Sequence, residues 1–236
     1  MKQRVLALFC MMLPAITVFG QESGSSHSSY YLNWGLKVGF AATGTYLTEA
    51  VIDGHKLSDY KQDTQVGNFA AVQLRLNAKR LLIQTGVSLN STKSSFSIDK
   101  KSWNQVSTIR NEIGCSYSML SMAIPIQIGY HIINKPPYSM SLFTGPRLRY
   151  TPERYYSVTY TNTAPYEFTD TPHELIMGWT AGLSIQIGRT FLDFEYEATI
   201  NNVSDRMYET SGANPVPDYA LDRRISIISF SYGIMF

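Results

Sequence analysis

Segments in which apolar and polar residues alternate recur along this sequence, and no other feature limits the possible fold as strongly. Successive side chains of a β-strand point to opposite faces, so each such segment forms a strand with one apolar face and one small or polar face. The C-terminal segment is an example. From Phe236 back to Ile228 every second residue is aromatic or aliphatic, and most residues between them are Gly or Ser. Repetition of this pattern predicts an all-β chain.

About eight segments carry the alternation, at residues 34–43, 69–77, 81–90, 117–131, 138–150, 175–187, 190–200 and 224–236. Their connections alternate in length: long polar stretches at 48–66, 91–114, 151–173 and 201–222, and short turns such as Gly188-Arg189. A transmembrane barrel has short turns on the periplasmic side and long loops outside. The rhythm therefore predicts an eight-stranded antiparallel up-and-down transmembrane β-barrel with short periplasmic turns and long extracellular loops.

The N-terminus predicts export from the cytoplasm. Lys2 and Arg4 precede an apolar run at 5–19, which is the arrangement of a secretory signal peptide. We expect a signal peptide at 1–20, an N-terminal spacer at 21–32 and a barrel domain at 33–236. Cleavage would leave 18 basic and 18 acidic residues, a balance that gives no argument for binding nucleic acid. Only Cys115 would remain, so no intrachain disulfide is expected.

Seven charged residues inside the predicted strands fall on inward-facing positions. Outward positions are unfavourable because an Arg or Lys at the bilayer midplane costs about 2–4 kcal/mol. An eight-stranded barrel is about filled by its own side chains, so we expect a packed polar core with Arg147 or Arg149 paired to Glu195 or Glu197. The alternative, a charged conduit for ions or small solutes, is disfavoured at this barrel size. The predicted lumen charge network is Lys37, Arg75, Arg147, Arg149, Asp193, Glu195 and Glu197.

One residue conflicts with the strand pattern. Pro125 lies in the middle of the predicted strand at 117–131. Every strand of a barrel is paired on both sides, and proline lacks the backbone N–H that a ladder needs. The sequence therefore predicts a β-bulge at Pro125.

Four motifs occur in order along the chain: Gly35-Leu36-Lys37-Val38-Gly39, the run from Met122 to Tyr130, Gly145-Pro146, and Phe194-Glu195-Tyr196. With these motifs the mature chain resembles the PorT-like outer-membrane β-barrel domain common in Bacteroidetes. The resemblance implies an eight-stranded barrel in the outer membrane of a Gram-negative cell, surrounded by lipid and carrying extracellular loops. It implies no common activity. Because the family's named member acts in secretion of surface proteins, envelope or secretion-system proteins are implied as possible partners.

Signals for catalysis or cofactor binding are weak. A Ser/His/acid site needs a nucleophile and a base within hydrogen-bond reach. His173-Glu174 is the only suggestive pair, and adjacent residues of a strand point to opposite faces. The sequence contains no metal-ligand spacing, phosphate loop or nucleotide motif. We therefore predict no catalytic residue, no metal site and no cofactor.

The predicted loop at 151–173 is rich in tyrosine, and two interpretations of it stay open. Aromatic residues suit contact with a protein or a glycan. Tyrosines near strand ends also form the interfacial girdle that anchors a barrel in its membrane. The candidate contact residues are Tyr155, Tyr156, Tyr160 and Tyr166.

The sequence thus favours a non-catalytic barrel with a structural, adhesion or secretion-associated role through its extracellular loops. A competing hypothesis is a secreted soluble barrel of the lipocalin kind that binds a small ligand inside. Such a barrel needs polar residues outside and apolar residues within, which is the reverse of the parity found here. A narrow pore and an outer-membrane hydrolase are two further hypotheses for a barrel of this class.

Overall fold

A computed structural model describes residues 30–52, 55–56, 61–98, 113–161, 168–169, 172–204, 208–209 and 220–236. The predicted signal peptide and most of the predicted spacer lie outside these residues. Eight long strands form the main sheet: β1 Tyr30–Ile52, β2 Gln65–Ala78, β3 Leu81–Ile98, β4 Ile113–Lys135, β5 Tyr138–Tyr150, β6 Leu175–Ile187, β7 Thr190–Thr199 and β8 Ala220–Met235. No helix among the described residues is long and apolar enough to cross a membrane.

The eight strands form a closed antiparallel ring in chain order, because each strand pairs with the next and β1 pairs with β8. Backbone hydrogen bonds close the ring at its end: Phe236 N–H donates to Trp34 O over 2.7 Å. The rings of the same two residues stack with centroids 4.5 Å apart. The predicted eight-stranded up-and-down barrel is confirmed.

Three two-residue turns join the strands at one end of the barrel. Lys79 has a positive φ of 55° and Gly188 one of 60°, the left-handed conformation that tight hairpins use. Paired prolines, which cannot continue a ladder, form the third turn between β4 and β5. The four long connections begin and end at the opposite end of the barrel, as predicted.

Several strands are longer than the alternation predicted. β1 and β4 each contain 23 residues, about twice the roughly 9–11 residues that a transmembrane strand needs. β1 begins at Tyr30, inside the predicted spacer, and β3 and β4 extend into the stretch at 91–114 that was predicted as a loop. Short strands at Lys61–Asp63 and Tyr156–Thr161 pair with the ends of β3 and β4. Much of the predicted loop material is therefore sheet.

The predicted bulge at Pro125 is wrong. The register of β4 against β3 is the same at Ile126 and at Ala123, so no residue is inserted at the proline. The Thr85 hydroxyl donates to the Pro125 carbonyl oxygen over 2.8 Å and supplies a bond from β3 at this position. The bulge of β4 lies lower, between His131 and Ile133.

The strands pass through two zones that differ in the direction of their apolar side chains. The lower barrel is the part of the ring from the short turns up to Leu89, Leu120 and Ile228. Its outward side chains are apolar and exposed, as at Phe40 (67 % exposed) and Ile128 (56 %). Its inward side chains include many buried polar and charged groups.

The upper barrel comprises residues 91–98 of β3, 113–119 of β4, 220–227 of β8 and the short strand Tyr156–Thr161. Here the outward positions of β3, β4 and the short strand are Ser, Thr, Lys or Gly, in contrast to the apolar residues below. The inward positions are mixed, since buried Thr92, Ser94 and Arg223 lie among apolar residues. Phe96, Cys115 and Met119 are buried inside. The change of polarity occurs along continuous strands without a break in the β3–β4 ladder.

Candidate functional site

Three acidic residues of β7 form the centre of the lumen charge network. Asp193, Glu195 and Glu197 occupy alternate positions of the strand, so all three project inward. Each is at most 2 % exposed. A row of carboxylates this deeply buried requires cations from the facing strands.

Cations from β1 and β5 lie between the carboxylates. Lys37 Nζ is 3.1 Å from Asp193 Oδ2 and also donates to Glu195. The Arg147 guanidinium contacts both Glu195 and Glu197. Each of the two glutamates is thus shared between two cations.

Two further ion pairs complete an alternating row. Arg149 Nη2 is 2.8 Å from Glu197 Oε2, and Arg75 Nη2 is 3.9 Å from Asp193 Oδ1 at the other end. The structure therefore brings all seven predicted charges together, with a cation at each end of the row. The order is Arg75, Asp193, Lys37, Glu195, Arg147, Glu197 and Arg149.

A chain of amide and hydroxyl groups continues from Arg75 across the lumen. Arg75 Nε donates to Gln84 Oε1 over 3.1 Å, and Gln84 Nε2 donates to Gln127 Oε1 over 2.8 Å. Gln127 Nε2 then donates to the Thr180 hydroxyl over 2.7 Å. These bonds link β2, β3, β4 and β6 across the interior, which makes the polar lumen a connected network.

Aromatic rings close the lumen at the short-turn end. Phe143 and Phe191 point inward and are 3 % and 1 % exposed. Their rings lie against glycines of neighbouring strands, and a side chain at Gly182 or Gly233 would overlap them. The inward glycines of the sequence therefore make room for these two rings.

An apolar cluster closes the other end of the lumen. It contains Ala41, Tyr117, Met119, Ile176, Val203, Ile225 and Ile227. Arg223, which was not among the predicted lumen charges, is buried in the same region at 2 % exposure. Its guanidinium lies 5.3 Å from the centre of the Tyr117 ring and donates to the Tyr156 hydroxyl over 2.7 Å. Every second residue of β8 faces inward, and continuing this alternation from Ser229 back to residue 223 would have identified Arg223.

Between these closures the interior holds a cavity of about 30 Å³, lined in part by Lys37, Gln73, Arg147, Arg149 and Glu197. Such a volume has room for about one or two water molecules. The described side chains thus fill the lumen as predicted for a barrel of this size. The hypothesis of a solute conduit finds no support in this interior.

On β3, β4 and the short strand Tyr156–Thr161, the outward surface of the upper barrel consists of small polar residues and one lysine. Pairing aligns three strands side by side, with Lys93 opposite Ser118 and Ser118 opposite Ser157. We call this surface the hydroxyl face. Its residues are Lys93, Ser95, Ser97, Ser116, Ser118, Ser157, Thr159 and Thr161.

The four candidate tyrosines have different environments. Tyr155 is 44 % exposed and lies under the Arg154 guanidinium, 4.5 Å from its ring centre. Tyr156 is not part of an exposed surface, because its ring packs against the apolar cluster and its hydroxyl accepts the bond from Arg223. The backbone of Tyr160 pairs with Cys115, while Tyr166 lies outside the described residues.

A buried histidine has the connectivity of a catalytic base. The Ser141 hydroxyl is 2.7 Å from His131 Nδ1, and His131 Nε2 is 3.0 Å from Asn77 Oδ1. All three side chains are at most 3 % exposed, so a substrate cannot reach the serine. The bonds instead tie β2, β4 and β5 together near the short turns.

The histidine that the sequence singled out lies at the opposite end of the barrel. His173 N–H donates to Val203 O over 2.9 Å, and Glu174 O accepts a bond from Thr151 N–H over 2.7 Å. His173 is half-buried and Glu174 is exposed. Their backbone hydrogen bonds connect the two ends of the β5–β6 connection to each other and to Val203.

Comparison with known families finds one matching profile. The family is described as "Outer membrane protein beta-barrel domain", and the match covers residues 19–205. Comparison with curated proteins finds no match.

Solved structures with similar folds include other outer-membrane proteins. OprG from Pseudomonas aeruginosa is 8% identical, with a TM-score of 0.46 over 86% of this chain and 95% of that chain. Ail of Yersinia pestis is 11% identical, with a TM-score of 0.38 over 87% of this chain and 99% of that chain. The protease OmpT from Escherichia coli is 9% identical, with a TM-score of 0.45 over 91% of this chain and 99% of that chain.

Proposed function

The chain belongs to the outer membrane protein beta-barrel domain family, and from this premise we propose that it is a closed membrane anchor whose upper barrel contacts a protein partner at the cell surface. The protein is located in the outer membrane, where its outward apolar side chains face lipid. The upper barrel then projects beyond the membrane on the extracellular side. The observation that carries the proposal is the hydroxyl face, a regular polar sheet surface held outside the bilayer.

The closed interior supports a role other than transport. The ionic row, the Phe143 and Phe191 rings and the upper apolar cluster fill the lumen at three levels. A conducting barrel would need a continuous polar path through them. The function is therefore assigned to a surface of the barrel.

The hydroxyl face suits a partner that binds by hydrogen bonds. Its serines and threonines can each donate and accept, and a sheet holds them in a fixed array. Exposed Tyr155 lies next to the strand Tyr156–Thr161 that forms one side of this face. A rigid aromatic residue beside a polar array is a composition found at protein interfaces.

The proposed role is non-catalytic. The arrangement of Ser141, His131 and Asn77 is sealed from solvent, and the hydroxyl face contains no histidine or carboxylate. Its serines therefore lack the general base that activates a nucleophile.

The partner is proposed to be an envelope or secretion-system protein. The motifs Gly35-Leu36-Lys37-Val38-Gly39 and Phe194-Glu195-Tyr196 support this choice through their resemblance to PorT-like barrels of Bacteroidetes. Glu195 and Lys37 of these motifs lie in the ionic row. These motif residues thus contribute to the barrel interior. We expect the partner to contact the upper barrel instead.

Site-specific photo-crosslinking in intact cells tests the proposal. A photoreactive amino acid would replace Lys93, Thr159 or Tyr155, with Arg189 in a short turn and Phe230 on the lipid-facing surface as matched controls. We expect a discrete protein adduct at the three upper positions and none of that size at the controls. Tyr155→Ala should reduce the adduct formed from Lys93.

Two results would overturn the proposal. One is the lack of a protein adduct at all upper positions in cells that carry the folded barrel. The other is a conductance of discrete steps from the purified wild-type protein in planar bilayers. Adducts that form only with surface polysaccharide would assign the face to a glycan.

A further inference from the structure

The row of charges in the lumen is not balanced. It contains four cations, Lys37, Arg75, Arg147 and Arg149, but only three carboxylates, and none of these seven residues is more than 9 % exposed. An unbalanced charge buried away from water is strongly unfavourable unless a counter-charge is near. We propose that the lumen binds one monovalent anion of halide size, such as chloride, beside Arg147 and Arg149.

The cavity in the lumen supplies a place for this ion. It measures about 30 Å³, and Lys37, Arg147 and Arg149 are three of the residues that line it. These cations come from β1 and β5, which lie on different sides of the ring. An anion beside Arg149 would complete the alternation of charge at that end of the row.

Two residues that line the cavity have buried hydrogen-bond donors that are unsatisfied. Nε of Arg147 and Nε of Arg149 have no acceptor among the residues that the structure describes. Buried guanidinium N–H groups normally have an acceptor, because leaving one unsatisfied costs free energy. A halide ion accepts several such bonds at once.

Glu197 also lines the cavity, and its negative charge opposes an anion. Both of its carboxylate oxygens, however, already accept bonds from arginines: Oε2 from Arg147 and both oxygens from Arg149. The electrostatic field that remains at the cavity is positive, because the row has one more cation than it has carboxylates. A water molecule would satisfy the free N–H groups but would leave the surplus charge in place.

Crystallography with bromide tests the site without changing the protein. Wild-type protein extracted in detergent and crystallised from sodium bromide should show an anomalous peak inside the lumen, within hydrogen-bond distance of Arg147 or Arg149. Anomalous peaks confined to the outer surface, or a lumen density without anomalous signal, would overturn the proposal in favour of water.

Thermal unfolding gives a second test. At constant ionic strength, chloride and bromide should raise the apparent unfolding midpoint above that in gluconate, which is too large for the cavity, by about 2–4 °C at saturation. Arg149→Gln, which removes the surplus charge, should abolish this difference. Arg189→Gln in the exposed turn is the matched control and should keep it. Equal midpoints of the wild-type protein in all three salts would contradict the proposal.

Discussion

The lower and upper barrels are built from the same strands, yet their side chains are sorted in opposite ways. In the lower barrel Leu89 of β3 faces outward and Gln84 faces the lumen, whereas in the upper barrel Lys93 faces outward and Phe96 is buried. One hydrogen-bonded ladder runs through both zones. In the placement proposed above, lipid surrounds the lower barrel and water the upper barrel, so the surroundings select the residues while the backbone stays the same.

Each zone is consequently stabilised by different forces. The lower barrel has a polar interior, in which every carboxylate of the row lies near two cations. The upper barrel has a mixed interior, in which the apolar groups of Tyr117, Met119 and Ile225 pack together and buried Thr45 and Ser94 share a hydrogen bond of 2.8 Å. Loss of one charge should therefore affect the lower barrel, and loss of one apolar group should affect the upper barrel.

The largest effect is expected from Glu197→Gln. The substitution leaves Arg147 and Arg149 without their shared carboxylate, and breaking such a buried pair costs about 3–5 kcal/mol. The midpoint of heat-modifiable gel mobility should fall accordingly. The double variant Glu197→Gln/Arg149→Gln should lose less than the sum of the two single variants, because the two residues interact. Additive losses would show that the row is not energetically connected.

In the upper barrel, Met119→Ala should cost about 2–5 kcal/mol, because it creates a cavity in a packed apolar cluster. The effect should be local. Protease cleavage of intact cells should increase within the upper barrel, while the closed ring below keeps its heat-modifiable mobility. Ser121→Ala two residues further along β4, in the polar lumen, is the comparison and should leave the upper barrel resistant. Equal protease sensitivity in the two variants would contradict the separation into zones.

The outward surface can be tested with one type of substitution in both zones. Phe230 pairs with Phe40 and Phe194 in an outward row of aromatic residues. Phe230→Lys should lower the free energy of unfolding by about 2–4 kcal/mol, the cost of a lysine at the bilayer midplane. Ser157→Lys, on the hydroxyl face, should change stability by less than about 0.5 kcal/mol. Folding into lipid vesicles at increasing urea measures both. Similar losses for the two variants would mean that both positions have the same surroundings.

In the lower barrel, the smallest loss of stability is expected from a change next to the mid-strand proline. Thr85→Val removes the hydroxyl that donates to the Pro125 carbonyl and should cost about 0.5–1.5 kcal/mol, the usual net value of one hydrogen bond. Thr190→Val, whose hydroxyl bonds to Ile187 O in an exposed turn, is the matched control and should cost less. A neutral Thr85→Val would show that the ladder tolerates the proline without this bond.

The lower barrel could be predicted from the sequence because its alternation is strong. Apolar residues outward and charges inward determine which face each side chain occupies, and this placed Lys37, Arg147 and Glu195 in the lumen. The partners of Arg75 were harder to predict, since they depend on the register of strands that are far apart in sequence. Arg75 illustrates this: it lies 3.9 Å from Asp193 and bonds mainly to neutral groups.

The upper barrel was missed for a physical reason. Its alternation has the opposite sign, with Ser95 outward and Phe96 and Cys115 inward, so a search for outward apolar residues classified it as loop. Tyr156 was misassigned to an exposed surface for the same reason. A search that allows the parity to invert along one strand would have extended β3 and β4.

Cysteine labelling on either side of the boundary tests the two-zone account most directly. Leu89→Cys and Lys93→Cys place a thiol on the same outward face of β3, one in each zone, and Leu89 is itself 56 % exposed. In intact cells a membrane-impermeant maleimide should label Lys93→Cys rapidly and leave Leu89→Cys unlabelled until the protein is unfolded. The parent protein, with Cys115 buried at 1 % exposure, should remain unlabelled. Equal labelling of the two variants, or protection of Lys93→Cys, would contradict the account.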